Sequence, residues 1–131
     1  LVLRIDDHEL SVINLHLSSN RFALDGLGEP VRLGEISTAL TQVTSPAVMA
    51  GDFNAPAESR VYDHMVQAGF HEPHPEKTGV RRIDYVWIDP SQLRAEALAT
   101  PENFDIPDHT GTTLSDHLPV GVRLSLTEQD R

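Results

Sequence analysis

The chain has 131 residues, the length of one ordinary domain, and its 39% hydrophobic and 23% charged residues exclude a disordered or membrane-spanning chain. Its formal net charge of −10 opposes electrostatic binding of nucleic acid, yet it is compatible with a site that recruits divalent cations. The absence of cysteine excludes disulfides, thiolate metal sites and cysteine nucleophiles, and leaves the cellular compartment open. Because the sequence starts at Leu1 inside an apolar pattern, with no visible signal peptide, we expect residues 1–131 to be a single, N-terminally truncated or processed domain.

The N-terminal half of the sequence predicts strands on either side of a helix. The first two strands form a predicted hairpin around a polar turn at residues 6–9. Pro30 suits the first turn of a helix, and apolar residues then recur at spacings of three and four as far as Val43. Ser45-Pro46 ends this helix, and a short apolar strand follows. In chain order the elements are strands 1–5 and 10–17, a loop 18–29, the helix and a strand 47–51.

The C-terminal half predicts a second helix and three further strands. Val61, Met65 and Ala68 mark the helix, which Gly69 stops. Residues 83–88 are rich in aromatic and β-branched side chains and predict a strand that is apolar on both faces. The remaining elements are a loop 70–82, a strand 94–100, a loop 101–115 and an alternating strand 119–126. Six strands and two helices predict an α/β (α+β) fold with a mixed β-sheet.

Polar side chains stand at the ends of four predicted strands. If the second and third strands run antiparallel to the fourth and the last, these side chains meet at one edge of the sheet. Two histidines, three carboxylates and an amide suit hydrolysis assisted by a hard divalent cation. The residues are His16, Asp52, Asn54, Asp84, Asp116 and His117.

Each of these residues also has an ordinary structural explanation. Asp52 and Asn54 are common turn residues, Asp84 could pair with Arg82, and the histidines could be hydrogen-bonded packing residues. Structural roles are favoured more strongly for several other polar groups and for two aromatic residues of the fourth strand. These are Asp6-Asp7-His8, His71-x-x-His74, Arg81-Arg82, Asp108-His109, Tyr85 and Trp87.

Four motifs change this balance because they occur together and in order. They are NLHLSS (14–19), GDFNAP (51–56), RIDYVW (82–87) and SDHLPV (115–120). The set resembles the C-terminal motifs of the endonuclease/exonuclease/phosphatase superfamily, the deoxyribonuclease I-like fold, over residues 10–126. The resemblance implies half of a four-layer αββα sandwich and a hydrolase of phosphate esters that uses Mg²⁺, or Mn²⁺ or Ca²⁺. Substrates in this superfamily include DNA, RNA, inositol phosphates and sphingomyelin.

The resemblance implies a metal ligand and a proton-transfer pair. Asp116 resembles the metal-ligand aspartate. Asp52 resembles the acid that positions or deprotonates the attacking water, and we include it among the metal ligands. His117 resembles the histidine that contacts the scissile phosphate, and Asp84 resembles the acid that hydrogen-bonds this histidine.

Two further residues have roles implied by the resemblance. Asn54 resembles the amide that stabilises the pentavalent phosphate, and His16 resembles a second histidine that contacts phosphate or protonates the leaving group. The complete family domain is about twice as long, and its N-terminal half supplies an asparagine and a glutamate to the metal site. Residues 1–15 do not match those motifs.

The resemblance also predicts a surface that needs a partner. The family packs two sheets face to face, so we expect association with a second copy or with a missing half through an apolar sheet face. Candidate faces are Ile13/Leu15/Leu17 and Val120/Val122/Leu124. The leading prediction is a metal-dependent phosphoesterase, and the alternative is a catalytically silent interaction module that retains the fold.

Overall fold

The fold contains two helices and two sheets within the part of the chain that the structure describes. This computed structural model describes residues 1–5, 7–21, 26–74, 82–99, 109–112 and 115–127. The strands are β1 (Val2–Ile5), β2 (His8–His16), β3 (Ala47–Asp52), β4 (Asp84–Ile88), β5 (Leu93–Ala97) and β6 (Val122–Leu126), and the helices are α1 (Gly28–Leu40) and α2 (Arg60–Gln67). The predicted mixed α+β class is confirmed.

The larger sheet has the order β1-β2-β3-β4 and is mixed. Strands β2 and β3 are parallel, whereas β1 pairs with β2 and β4 pairs with β3 in antiparallel fashion. The condition that β2 and β3 run antiparallel to β4 is therefore met, but the last strand lies outside this sheet. Strand β6 pairs antiparallel with β5 in a separate two-stranded sheet.

Several element boundaries differ from the prediction by a few residues. Strand β2 begins at His8, because His8 and Glu9 already pair with Ile5 and Arg4 of β1. Helix α1 begins at Gly28 and thus takes in the end of the predicted loop. Strand β6 starts only at Val122, consistent with the lack of a backbone N–H at Pro119. Most of the predicted loop 101–115 lies outside the described residues.

Helix α2 has clear signals at both ends. The Ser59 side chain is the N-cap and accepts a hydrogen bond from the backbone N–H of Tyr62. Gly69 follows the helix with a φ of 88°, the left-handed conformation that commonly ends helices. Within the described residues, neither helix has the length and apolar character that crossing a membrane would require.

The two faces of the larger sheet pack against different layers. One face packs under α1 and α2, where Phe53, Tyr85 and Trp87 form tilted and edge-to-face aromatic contacts. The other face packs against residues of β5 and β6. Its buried members are Leu10, Val48, Val86, Ile88 and Leu93.

This layering corrects the expectation of bare apolar faces. Ile13, Leu15 and Leu17 pack into the cluster beneath the helices. Val120, Val122 and Leu124 pack against the second cluster. Both of the sheet faces that were expected to need an outside partner are thus covered within the chain.

Candidate active site

The strand register brings three of the predicted residues into one row. His16 is the partner of Asp52 across the parallel β2–β3 pair, and Asp52 is the partner of Asp84 across the antiparallel β3–β4 pair. Registered residues on neighbouring strands point to the same face of a sheet. This face is the one covered by β5 and β6, so the chain leading into β6 approaches the same row.

The motif GDFN is built around a close approach of β2 and β3. Gly51 has a φ of 137°, and a Cβ atom there would lie 1.9 Å from the carbonyl oxygen of Leu15. Phe53 alternates to the opposite face, where its side chain is 1% exposed and its backbone N–H donates to Ile83. Glycine and a buried aromatic residue therefore hold Asp52 at the sheet edge, facing away from the helices.

Asn54 completes the turn after Asp52. Its φ is 47°, a left-handed conformation that asparagine tolerates better than most residues. Its backbone N–H donates to Asp52 Oδ1 over 2.7 Å, and its Nδ2 donates to the Leu17 carbonyl over 2.8 Å. The turn explanation is thus correct for the backbone. One Nδ2 hydrogen is not used by the Leu17 bond and can serve a ligand.

His117 and Asp84 form a close hydrogen-bonded pair in the site. His117 Nδ1 lies 2.8 Å from Asp84 Oδ2, so the ring donates from this nitrogen and leaves Nε2 facing outward. The hydrogen bond and charge of Asp84 raise the pKa of His117 above its usual value. Burial raises the pKa of Asp84, and the contact with His117 opposes that rise.

Three side chains converge closely enough to hold a metal ion. Ligand atoms of Asp52, Asp84 and His117 all lie within 4.8 Å of one another. Among the described residues, no other group of acidic and histidine side chains has this spacing. His74 is not in it, in agreement with the structural role favoured from the sequence.

The other two charged candidates border this group. His16 Nε2 lies 3.6 Å from Asp52 Oδ2, and its side chain is 77% exposed. Asp116 Oδ1 lies 3.8 Å from His117 Nε2, and its side chain is 98% exposed. Both groups can meet a ligand from solvent, and Asp116 does not converge with the other carboxylates.

The loop that follows His16 is fixed by residues that the sequence patterns did not reveal. The Ser18 backbone N–H donates to Glu35 Oε2 over 2.9 Å, and Arg32 Nη1 donates to the Ser18 carbonyl and to Asn20 Oδ1. Arg32 is 5% exposed. The only sequence signal for this role was a charged residue on the apolar side of a predicted helix.

The structure also shows the contacts of several residues for which structural roles were favoured from the sequence. Arg82 and His74 bind the buried carboxylate of Glu72. Tyr85 and Trp87 are core residues, at 2% and 1% exposure. Asp6, Arg81 and Asp108 lie outside the described residues, so the structural roles favoured for them stay predictions.

A comparison with protein-family models identifies the family. The model described as the Endonuclease/Exonuclease/phosphatase family matches residues 25–117. The chain belongs to this family. The matched range contains Asp52, Asn54, Asp84 and His117, and a search of curated proteins found no significant match.

Solved structures with the same fold support this assignment. A functionally unknown conserved protein from Enterococcus faecalis is 20% identical with a TM-score of 0.66, over 92% of this chain and 51% of its own. The human Nocturnin catalytic domain with bound sulfate is 20% identical with a TM-score of 0.56, over 91% and 47%. Beta toxin from Staphylococcus aureus, with bound magnesium ions, is 15% identical with a TM-score of 0.54, over 92% and 51%. The chain thus spans about half the length of the structures it matches.

Proposed function

We propose that this protein is a divalent-metal-dependent hydrolase of phosphate esters that acts by in-line attack of water on phosphorus. The observation that carries the proposal is the convergence of Asp52, Asp84 and His117 within 4.8 Å in a member of this family. Carboxylates and an imidazole at one sheet edge can orient water, accept its proton and stabilise phosphoryl charge.

His117 and Asp84 act together on the phosphoryl group. Asp84 accepts from Nδ1 and favours the doubly protonated ring, so that Nε2–H can donate to a non-bridging phosphoryl oxygen. The charge on that oxygen grows in the transition state, and the donor therefore binds the transition state more strongly than the substrate.

Asp52, Asn54 and His16 complete the reaction. Asp52 orients the water and takes its proton while the new P–O bond forms. The Nδ2 hydrogen of Asn54 that does not point to Leu17 donates to a second phosphoryl oxygen. His16, exposed at the edge beside Asp52, gives a proton to the leaving oxygen as the old P–O bond breaks.

The side chains also suit a hard cation. Asp52 and Asp116 offer carboxylate oxygens, the ligands that Mg²⁺ prefers, and Mn²⁺ or Ca²⁺ would accept the same donors. When bound, the cation would neutralise charge on the phosphoryl oxygens. The beta toxin structure, which holds magnesium, supports this choice by its shared fold.

The substrate is a phosphate ester whose class is left to experiment. Phosphodiesters of nucleic acid, sugar phosphates and lipid headgroups all present the tetrahedral phosphorus that the site would recognise. The net charge of −10 weakly opposes a nonspecific nuclease, because DNA binding draws mainly on phosphate neutralisation by basic residues.

The test is hydrolysis of a chromogenic phosphodiester by the protein and by His117→Ala, with and without Mg²⁺. We expect a Mg²⁺-dependent rate that falls at least about 100-fold in the variant, as for loss of a general acid–base group. His8→Ala is the matched control, because His8 lies at the opposite end of β2 from His16 and is exposed.

A second measurement separates a silent module from an inactive enzyme. Mn²⁺ should broaden NMR signals of Asp52 and His117 before those of His8. Equal hydrolysis by the protein and by His117→Ala, with no selective broadening, would favour the interaction module. Selective broadening without hydrolysis would support the metal site and argue against a phosphodiester as the substrate.

A further inference from the structure

A second group of charged side chains lies beside the candidate active site. Glu72 follows α2, and its side chain is 1% exposed. Arg82 Nη2 donates to Glu72 Oε2 over 2.5 Å, and His74 Nδ1 lies 2.7 Å from Glu72 Oε1. Both oxygens of this buried carboxylate are therefore bound by side-chain nitrogens. We call these three residues the Glu72 cluster.

The Glu72 cluster reaches the chain that leads into β6. His74 Nε2 lies 2.9 Å from the carbonyl oxygen of Gly121, just before β6 begins. The two ring nitrogens of His74 thus face one acceptor each, Nδ1 the Glu72 carboxylate and Nε2 the Gly121 carbonyl. The ring therefore connects the buried Glu72 carboxylate with the backbone that follows His117 in the chain.

Arg82 fixes the other end of the cluster at the start of β4. Its guanidinium lies over the Tyr85 ring, 4.9 Å from the centroid, and its carbonyl accepts the Tyr85 hydroxyl over 2.9 Å. Arg82 stands two positions before Asp84 in the RID sequence. Contacts of the Arg82 side chain and carbonyl thus fix the chain just before Asp84.

In the part of the chain that the structure describes, backbone pairing between strands does not connect the chain around Asp84 with the chain around His117. Within the described residues, β4 pairs with β3, β6 pairs with β5, and the two belong to different sheets. The distance between Asp84 on β4 and His117 before β6 is thus not set by a shared ladder of backbone hydrogen bonds. The Glu72 cluster joins the two stretches of chain directly, through Arg82 on one side and His74 on the other.

We propose that Glu72, His74 and Arg82 are positioning residues that hold His117 in hydrogen-bonding distance of Asp84. The catalytic meaning of this role rests on the proposed function, whereas the link itself rests on the contacts of the cluster. Replacing Glu72 by glutamine exchanges one acceptor oxygen for an NH2 group, so either Arg82 or His74 loses its acceptor. The polar link between the two chain stretches is then weakened, while the apolar packing of β4 against β5 and β6 remains.

Glu72→Gln tests this role, because it keeps the shape of the side chain and removes its charge. In metal-free protein with ¹⁵N-labelled histidine, we expect the Nδ1–H signal of His117 to be lost to exchange with solvent. In the same variant kcat should fall about tenfold with KM nearly unchanged, as for other residues that orient a reacting group. Glu96→Gln is the matched control, since it breaks the exposed Arg123–Glu96 pair of 3.0 Å on β5 and β6 and should change neither readout.

The outcomes separate positioning from general stability. A lowered Tm with an unchanged His117 signal and unchanged kcat, measured where both proteins are fully folded, would overturn the proposal. If Glu72→Gln does not fold, His74→Ala gives the same readout while Arg82 keeps its pairing. If the wild type hydrolyses no phosphate ester but the variant still loses the His117 signal, the proposed function fails and the positioning role stands.

Discussion

The Asp84–His117 pair gives the candidate site its own dependence on pH. Asp84 is partly buried, and its burial raises its pKa, while its hydrogen bond raises the pKa of His117. A histidine whose pKa is raised by folding stabilises the fold fully below its unfolded pKa and loses that contribution as pH rises through the folded pKa. The raised pKa of His117 therefore adds stability while the ring is protonated, whereas the raised pKa of Asp84 means that ionisation of this carboxyl takes some stability away.

Asp84→Asn should separate these effects. Without the carboxylate, we expect the pKa of His117 to fall toward its ordinary value of 6.5, measured by NMR titration of the ring in metal-free protein. The stability advantage of the wild type over the variant should shrink as pH rises through the folded pKa of His117. A His117 pKa that is equal in both proteins would contradict the hydrogen bond seen here, and Asp63→Asn, on the exposed side of α2, is the control.

At the scale of the element, the backbone is most restricted at the end of β3, where three neighbouring residues each limit its conformation. Gly51 permits the close approach to β2, Phe53 anchors the turn in the core beneath the helices, and Asn54 takes up a left-handed conformation. Each of these restrictions helps to orient the Asp52 side chain. The loop is consequently a rigid support, and it should respond sharply to a single added methyl group.

Gly51→Ala should destabilise the protein by about 3 kcal/mol or more, because its Cβ would meet the Leu15 carbonyl and its φ is unfavourable for alanine. Gly34→Ala is the matched control, since Gly34 lies within α1 and nothing lies within 4 Å of the added atom. That change should stabilise by about 0.5–1 kcal/mol. Urea unfolding of both variants measures the two effects, and equal stability of Gly51→Ala and wild type would refute the close-approach argument.

Local patterns predicted the elements better than their contacts. The spacing of apolar residues identified both helices, and period-two alternation identified β2, because these signals depend on burial of one face. The motifs placed Asp52, Asp84 and His117 in one site. Patterns could not identify Glu72, because a buried glutamate in a loop has no periodicity, and its partners His74 and Arg82 follow no regular spacing.

At the scale of the molecule, the edge strand β1 of the larger sheet exposes apolar side chains. Leu1, Val2 and Leu3 are 80%, 59% and 40% exposed, and within the described residues β1 pairs only with β2. An edge strand with apolar side chains is a template for another strand. With both sheet faces covered, this edge replaces them as the surface through which we expect association.

Association should therefore depend on β1. We expect light scattering after size-exclusion chromatography to give a mass above that of the monomer at concentrations of about 100 μM, a regime typical of weak interfaces. Val2→Lys should lower that mass, because a charged side chain blocks edge pairing. Val66→Lys is the control, since Val66 is 53% exposed on α2, and a monomer at every concentration would contradict the prediction.

Because His16, Asp52 and Asp84 form one row across the sheet, the site is sensitive to whether a strand changes length by an odd or an even number of residues. Successive residues of a strand point to opposite faces, so deleting one residue from β3 would carry Asp52 to the helix side and bring an apolar neighbour to the edge. Deleting two residues would keep every side chain on its own face and shift the row by one step. Only deletions of an even number of residues therefore keep the three side chains on the same face of the sheet.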